Sequence, residues 1–270
     1  MSTLLAMGRV LPVAMFGSRR ALLMIERNLL ISKHNWLMIL SGFFEPLFYL
    51  LSIGIGIGGM IGTVAGPDGQ EIPYALFVAP ALLATASMNG AIAESTFNFF
   101  FKLNYEKTYD AILATPMSPG DVALGEIGWA VLRSTLYALG FMVVILVMGL
   151  LRSPWALPAV PCATLLAFAF AAVGMAATTY LRSWQDFDLI NLVVLPLFLF
   201  SGTFYPISSY PDALRVFVMA TPLWQGTDLI RALVTGYIEP SILWHVVYLG
   251  LMGLAGLAVV GKRLDKVLLK

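Results

Sequence analysis

Six stretches of this chain contain no charged residue: 46–67, 72–93, 134–151, 153–181, 189–211 and 240–261. A helix needs roughly 20 apolar residues to cross the hydrocarbon core of a bilayer. Backbone placed in that core must satisfy its own hydrogen bonds, so segments of this kind are helical. Single charges at Glu45, Glu94 and Arg133 interrupt apolar sequence that continues beyond them. The predicted spans are therefore 35–59, 73–101, 120–149, 157–181, 188–205 and 241–261. Only 11% of the 270 residues are charged, against about a quarter in a soluble domain, which is too little polar surface to cover a water-soluble fold. The expectation is an all-α integral membrane protein in one domain, with a terminal segment 1–34, a six-helix bundle 35–261 and a tail 262–270.

Sidedness follows from the distribution of Lys and Arg, which favour the cytoplasmic ends of spans. Six spans put both termini on one side. With that side cytoplasmic, thirteen of the sixteen basic residues lie at cytoplasmic ends or loops, and only Arg152, Arg215 and Arg231 lie outside. Residues 1–34 carry Arg9, Arg19, Arg20, Arg27 and Lys33. Arg9 interrupts the apolar run and the Arg19–Arg20 pair follows it, an order unlike that of a signal peptide. Ser18–His34 is predicted to be a helix lying near the cytoplasmic face. A bacterial cytoplasmic membrane is the expected location.

The loop Lys102–Glu126 is the most charged internal segment, with Lys102, Glu106, Lys107, Asp110, Asp121 and Glu126 close together. Asn104 is placed to cap a short helix, with Glu106 in its first turn and Pro116 ending it. Ser118, Pro119 and Asp121 read as N-cap, N1 and N3 of the next helix. Tyr105, Tyr109, Ile112 and Leu113 share one face of the short helix. That face is predicted to be free to pack on a partner, the alternative being a solvated connector.

Outside the membrane by this topology, Gly202–Pro240 is rich in Phe, Leu, Val and Trp. Ser209, Pro211 and Asp212 read as one helix start, Thr221 and Pro222 as a second. Each helix is too short to span, so a re-entrant hairpin over the outer mouth is expected, against a plain exposed hairpin. Asp228 and Arg231, one turn apart, are expected to pair.

Charges inside spans are costly. Glu45 precedes Pro46, where the first helix is expected to bend. Glu94 lies one turn from Asn98, and Arg133 is placed to pair with either Glu across helices. This set reads either as a polar patch in a transport path or gate, or as a buried pair fixing helix register. Two nucleotide-binding patterns are rejected. Gly54, Gly56 and Gly59 spell GxGxxG inside a span with no preceding strand, and Gly256–Lys262 spell GxxxxGK with Arg263 where Ser or Thr is required. Packing or a loosened helix is the better reading of these glycines. One cysteine, Cys162, excludes an internal disulfide. His34 and His245, far apart, make a metal centre a poor expectation, and each reads as structural. No Ser/His/Asp set or paired catalytic carboxylates point to an enzyme, and no nucleic-acid partner is expected.

Taken in order, three motifs resemble a known family. They are Tyr105-Glu106-Lys107-Thr108 running to Leu113-Ala114-Thr115-Pro116; Gly120-Asp121-Val122 with Leu124-Gly125-Glu126; and Ser201-Gly202 with Tyr205-Pro206 and Pro211, then Thr221-Pro222-Leu223 and Asp228 to Arg231. The whole chain resembles the permease subunits of type-2 ABC exporters. It looks closest to the nodulation type, related to exporters of lipo-oligosaccharides, polysaccharides and drugs. The resemblance implies a dimer of permeases, homo or hetero, with separate cytoplasmic ATP-binding subunits that hold the ATP and Mg. It implies that Tyr105, Glu106, Lys107, Tyr109, Asp110, Ile112 and Leu113 form a coupling helix in the ATPase cleft. Glu45, Glu94, Asn98 and Arg133 would line the pathway or gate, and Phe204, Tyr205, Pro206, Asp228 and Arg231 would form an outer gate. The substrate implied is lipid-linked, glycolipid or polysaccharide, or an amphiphilic drug-like molecule. A proton-coupled secondary transporter using Glu45 and Glu94, and an assembly scaffold without transport, are the alternatives.

Overall fold

A computed structural model describes residues 19–34, 44–67 and 69–269. Its helices in chain order are α1 (Arg19–His34), α2 (Phe44–Ile61), α3 (Tyr74–Asn104), α4 (Thr108–Leu113), α5 (Pro119–Val147), α6 (Ala159–Thr178), α7 (Phe187–Leu199), α8 (Asp212–Met219), α9 (Pro222–Thr235) and α10 (Ser241–Leu268). Between α2 and α3, strands β1 (Thr63–Ala65) and β2 (Glu71–Pro73) pair antiparallel, Val64 opposite Ile72. The chain is thus mostly helical rather than wholly so, because the segment between the first two spans doubles back as a hairpin.

Among the described residues, five helices are long and apolar enough to cross a membrane: α2, α3, α5, α10 and the segment Pro154–Thr178 that contains α6. The expected fifth span, 188–205, differs. Helix α7 has 13 residues, a rise of about 20 Å against a hydrocarbon core of about 30 Å. Pro196 withholds one helical N–H. Beyond Leu199, Ser201 and Thr203 pair their hydroxyls at 2.6 Å and Gly202 takes a φ of 66°, which ends the helix. Pro46 sits in the first turn of α2 as described. The bend expected before it concerns residues 35–43, outside the described part, as are residues 1–18.

Helices α3 and α6 form the centre of the bundle. α5 packs on both, α9 and the π-helical part of α2 pack on α3, and α10 runs along α6. The first glycine of the rejected GxxxxGK pattern explains the last contact. A Cβ on Gly256 would stand 2.8 Å from the Ala172 carbonyl carbon, so the two backbones approach as only glycine permits. Two stretches widen into π-helix, Leu50–Ile57 around Gly54 and Gly56, and Glu94–Asn98. The second sits against Gly174 of α6. There Thr178 Oγ1 donates to the Ser95 carbonyl at 3.2 Å, satisfying a backbone group in the widened turn.

Helix α1 lies on α5, burying Ala21, Met24 and Asn28 at helical spacing while Leu22, Leu23, Leu29, Leu30 and Ile31 stay exposed. An apolar outer face beside a basic helix suits the membrane interface. Its Arg20 guanidinium donates to the Pro116 carbonyl, which ties α1 to the loop before α5.

Candidate functional site: an ion-paired cavity between a docking loop and an outer hairpin

At the N-terminus of α5 the local chemistry is as expected. Ser118 and Asp121 form a reciprocal capping box, with Pro119 in the first turn. The turn before it is different. Asn104 ends α3, its amide donating to the Phe100 carbonyl at 3.2 Å. Lys107, with a φ of 50°, occupies the N-cap position of α4. Glu106 lies ahead of the helix and accepts from Thr108 Oγ1 at 3.0 Å. The left-handed conformation of Lys107 turns the chain from the end of α3 into α4.

The expected docking face of α4 is turned inward. Tyr109 is buried, its ring 5.3 Å from Phe99, and Ile112 and Leu113 pack half-buried against the core. Burial, then the charge of the neighbouring Glu126, pushes the Tyr109 phenol well above the usual tyrosine range. An apolar stripe on a short helix has the core as its first available partner, and here the core takes it. The exposed residues are Tyr105, Glu106, Lys107, Asp110, Ala111, Ala114, Thr115 and Pro116.

A cavity of about 1070 Å³ opens among α1, α2, α3, α5 and α7. Glu45, Glu94, Asn98 and Arg133 all line it, so the four residues expected in a pathway are brought together. Arg133 chooses Glu94, at 2.5 Å, and also donates to Tyr137 at 2.9 Å. Asn98 donates to Glu94 at 2.7 Å. Glu45 is exposed at the cavity wall.

Lys102 and Glu126, at the two ends of the charged segment, complete the network. Lys102 stands 2.8 Å from Glu126 and 3.7 Å from Glu94, and Glu126 is 1% exposed. A buried carboxylate is tolerable only when paired; Lys102 serves two of them, from α3 and α5. Aromatic rings and amides make up much of the remaining wall, among them Phe97, Trp129, Trp184, Asn89 and Asn191. A second, smaller groove of about 520 Å³ lies between α1 and α4, lined by Leu23, Met24, Arg27, Thr108 and Ile112.

At the opposite end of the bundle, Thr221 caps α9 by accepting from Trp224 N at 3.4 Å, with Pro222 in the first turn. Helix α8 starts at Asp212, and Ser209 belongs to a separate short turn. The expected Asp228–Arg231 pair is not formed. Arg231 is buried and donates to the carbonyls of Phe77, at 3.1 Å, and Gly202, at 2.7 Å, with its guanidinium 3.9 Å over the Phe77 ring. Asp228 meets His245 of α10 instead, at 3.3 Å. Facing helices brought the two side chains different neighbours, which spacing along one helix cannot reveal. Phe204 and Pro206 are half-buried and Tyr205 exposed; the Phe204 carbonyl accepts from Tyr74 Oη at 2.9 Å.

With this geometry in view, the comparisons with known proteins are consistent with one family. Residues 19–235 match the ABC-2 type transporter family. Nodulation protein J of Rhizobium leguminosarum bv. trifolii is 32% identical, over 85% of this chain and 87% of its own. The proteins of that name from Rhizobium leguminosarum bv. viciae, at 29% over 84% of this chain and 87% of its own, and from Rhizobium meliloti, at 32% over 73% and 74%, are similar. Multi-pass helical architecture and a family match over most of the sequence agree: the chain belongs to the ABC-2 type transporter family and is a membrane subunit of that class.

Proposed function

We propose that the chain is the permease subunit of an ATP-driven exporter of the bacterial cytoplasmic membrane, with both termini in the cytoplasm. The short α7 and the turn after it still carry the chain from Phe187, beside Phe100 at one end of α3, to Phe204, beside Tyr74 at the other. The observation that carries the reading is the placement of α4. Its exposed edge, with Glu106, Lys107 and Asp110, stands at the end of the bundle that the basic residues assign to the cytoplasm. Its buried residue, Tyr109, stands beside Glu126, which pairs with Lys102 and through it leads to Glu94 and Arg133 in the cavity wall. A separate ATP-binding subunit, holding the ATP and Mg, would dock on that edge and in the groove beside α1. Closure of that subunit would then shift the cavity between states through differential affinity.

A second permease copy would complete the pathway. Helices α2 and α7 bound the cavity yet bury little of themselves, and no residue of α7 is buried. The cavity wall mixes aromatic faces, amides and charges, which suits an amphiphile with a polar head: lipid-linked, glycolipid, polysaccharide or drug-like. The α8–α9 hairpin with Phe204, Tyr205, Pro206, Asp228 and Arg231 would cap the outer end. The proton-coupled alternative has less to stand on, because Glu94 is already held by Arg133, Lys102 and Asn98.

Affinity purification from the native membrane tests this. A co-purifying P-loop ATPase that is lost on Glu106→Arg is the expected result. A chain that purifies alone and transports in vesicles with only a proton gradient would overturn it.

A further inference from the structure

We propose that His245, set between Asp228 and Gln225, is a proton-operated latch that fastens the α8–α9 hairpin to α10. The proposal rests on reading this hairpin as the outer gate, and it adds what controls the gate.

The charge state of the ring follows from its neighbours. Gln225 Nε2 donates to the Met219 carbonyl at 2.7 Å, which decides the orientation of the amide. Its Oε1 therefore faces His245 Nδ1, within hydrogen-bond distance. Across the ring, Nε2 lies 3.3 Å from Asp228 Oδ2. Both ring nitrogens meet oxygens that have no hydrogen to give. A neutral imidazole carries one N–H and would turn a lone pair toward one of them, whereas imidazolium donates to both. Reversing the amide gives no relief, since Oε1 would then oppose the Met219 carbonyl. The ring is buried, with the Trp224 ring edge-on at 5.7 Å, while Asp228 is 35% exposed and joins the site to solvent.

Few other groups act on it. From α9 the charged group that meets the ring is Asp228; Arg231, one turn on, is engaged by the Phe77 and Gly202 carbonyls. One turn along α10, Tyr248 donates to the Ala220 carbonyl at 2.8 Å. Glu239, before α10, accepts from Tyr237 at 2.7 Å, and on α8 Asp212 and Arg215 pair at 3.5 Å. Helix α6 holds no Asp, Glu, Lys, Arg or His, only the Cys162 thiol, and α5 has no charged residue over 134–147. The hairpin thus has two fastened edges. Arg231 and Tyr74 hold it to α3, and these bonds do not depend on pH near neutrality. His245 and Tyr248 hold it to α10, and of these two only the imidazole can change charge near neutrality. Loss of one proton removes one of the ring's two bonds and loosens the α10 edge, which the Tyr248 bond alone then holds at full strength beside the unchanged α3 edge.

The full chain in lipid nanodiscs tests the latch with two readouts. The chain has two histidines, so ¹⁵N-histidine labelling of a His34→Gln variant isolates the His245 signals. Nitroxides placed by Val216→Cys on α8 and Leu243→Cys on α10, in a Cys162→Ser background, use two positions each 71% exposed and report the gap between hairpin and α10. We expect a doubly protonated ring and one narrow distance at the acid end of a pH series, and a singly protonated ring with a broader, longer distance at the alkaline end. His245→Gln removes the pH step in distance. Asp228→Asn, on a partly exposed residue, gives the longer distance at both ends of the range. A singly protonated ring at the acid end overturns the charge assignment. A doubly protonated ring with an unmoving distance overturns the reading of the hairpin as a gate.

Discussion

Arg133 of α5 reaches Glu94 of α3 with 2.5 Å between guanidinium nitrogen and carboxylate oxygen, and Glu94 is 3% exposed. The contact joins two spans at the level where α3 widens into its π-helical turn. It is both a packing device and part of the cavity wall.

Removing one partner strands a buried charge, which costs about 3–5 kcal/mol, whereas replacing both with apolar residues is often neutral. Glu94→Ala is therefore expected to lower thermal stability in detergent strongly, and Glu94→Leu combined with Arg133→Met to recover most of it. Glu94→Gln keeps the shape and the bond from Asn98. We expect it to assemble normally and to export at a fraction of the normal rate. Normal export by that variant would leave the pair a purely structural role.

Tyr109 separates packing from polarity. Its ring fills core space beside Phe99, but its hydroxyl makes no well-aligned hydrogen bond. Tyr109→Phe should change stability by less than about 1 kcal/mol, and Tyr109→Ala should cost about 3–5 kcal/mol. Chemical denaturation of the purified chain distinguishes the two. An equal loss in both variants would mean that the hydroxyl is held after all.

Gly256 tests the closeness of α6 and α10. A side chain there meets the Ala172 backbone at 2.8 Å, which cannot rotate aside. Gly256→Leu should cost at least the roughly 1–3 kcal/mol typical of overpacking and reduce the folded yield in membranes. Gly250, with nothing near its would-be Cβ, should accept leucine without loss.

The turn between α6 and α7 carries an acid dependence of known sign. Asp186 accepts from the backbone N–H groups of Arg182, at 2.7 Å, and Ser183, at 3.0 Å. Those bonds hold its carboxyl below the usual aspartate range. A folded-state value below the unfolded one means that the turn's stabilisation is complete above the ordinary range, near about pH 4. It fades as pH falls through the folded-state value. Proteolysis within 179–188 should quicken only under acid conditions, and Asp186→Asn should remove that dependence.

Much of this was legible along the chain. Charge-free runs located α3, α5, α6 and α10, because a bilayer core admits apolar helices and little else. The Ser118–Pro119–Asp121 cap and the Thr221–Pro222 start are local chemistry, and both were readable as such. Glu126 was readable too: a carboxylate inside the predicted span 120–149 needed a cation, yet its place beside a charged loop disguised it. Other relationships depended on which helices face each other. Tyr109 turned into the core, Asp228 turned from Arg231 to His245, and Lys102 came to serve both Glu94 and Glu126. Spacing along one helix says which residues share a face. Only the packing of α3 against α5, and of α9 against α10, decided what each face would meet, because desolvated charges take the nearest partner in space.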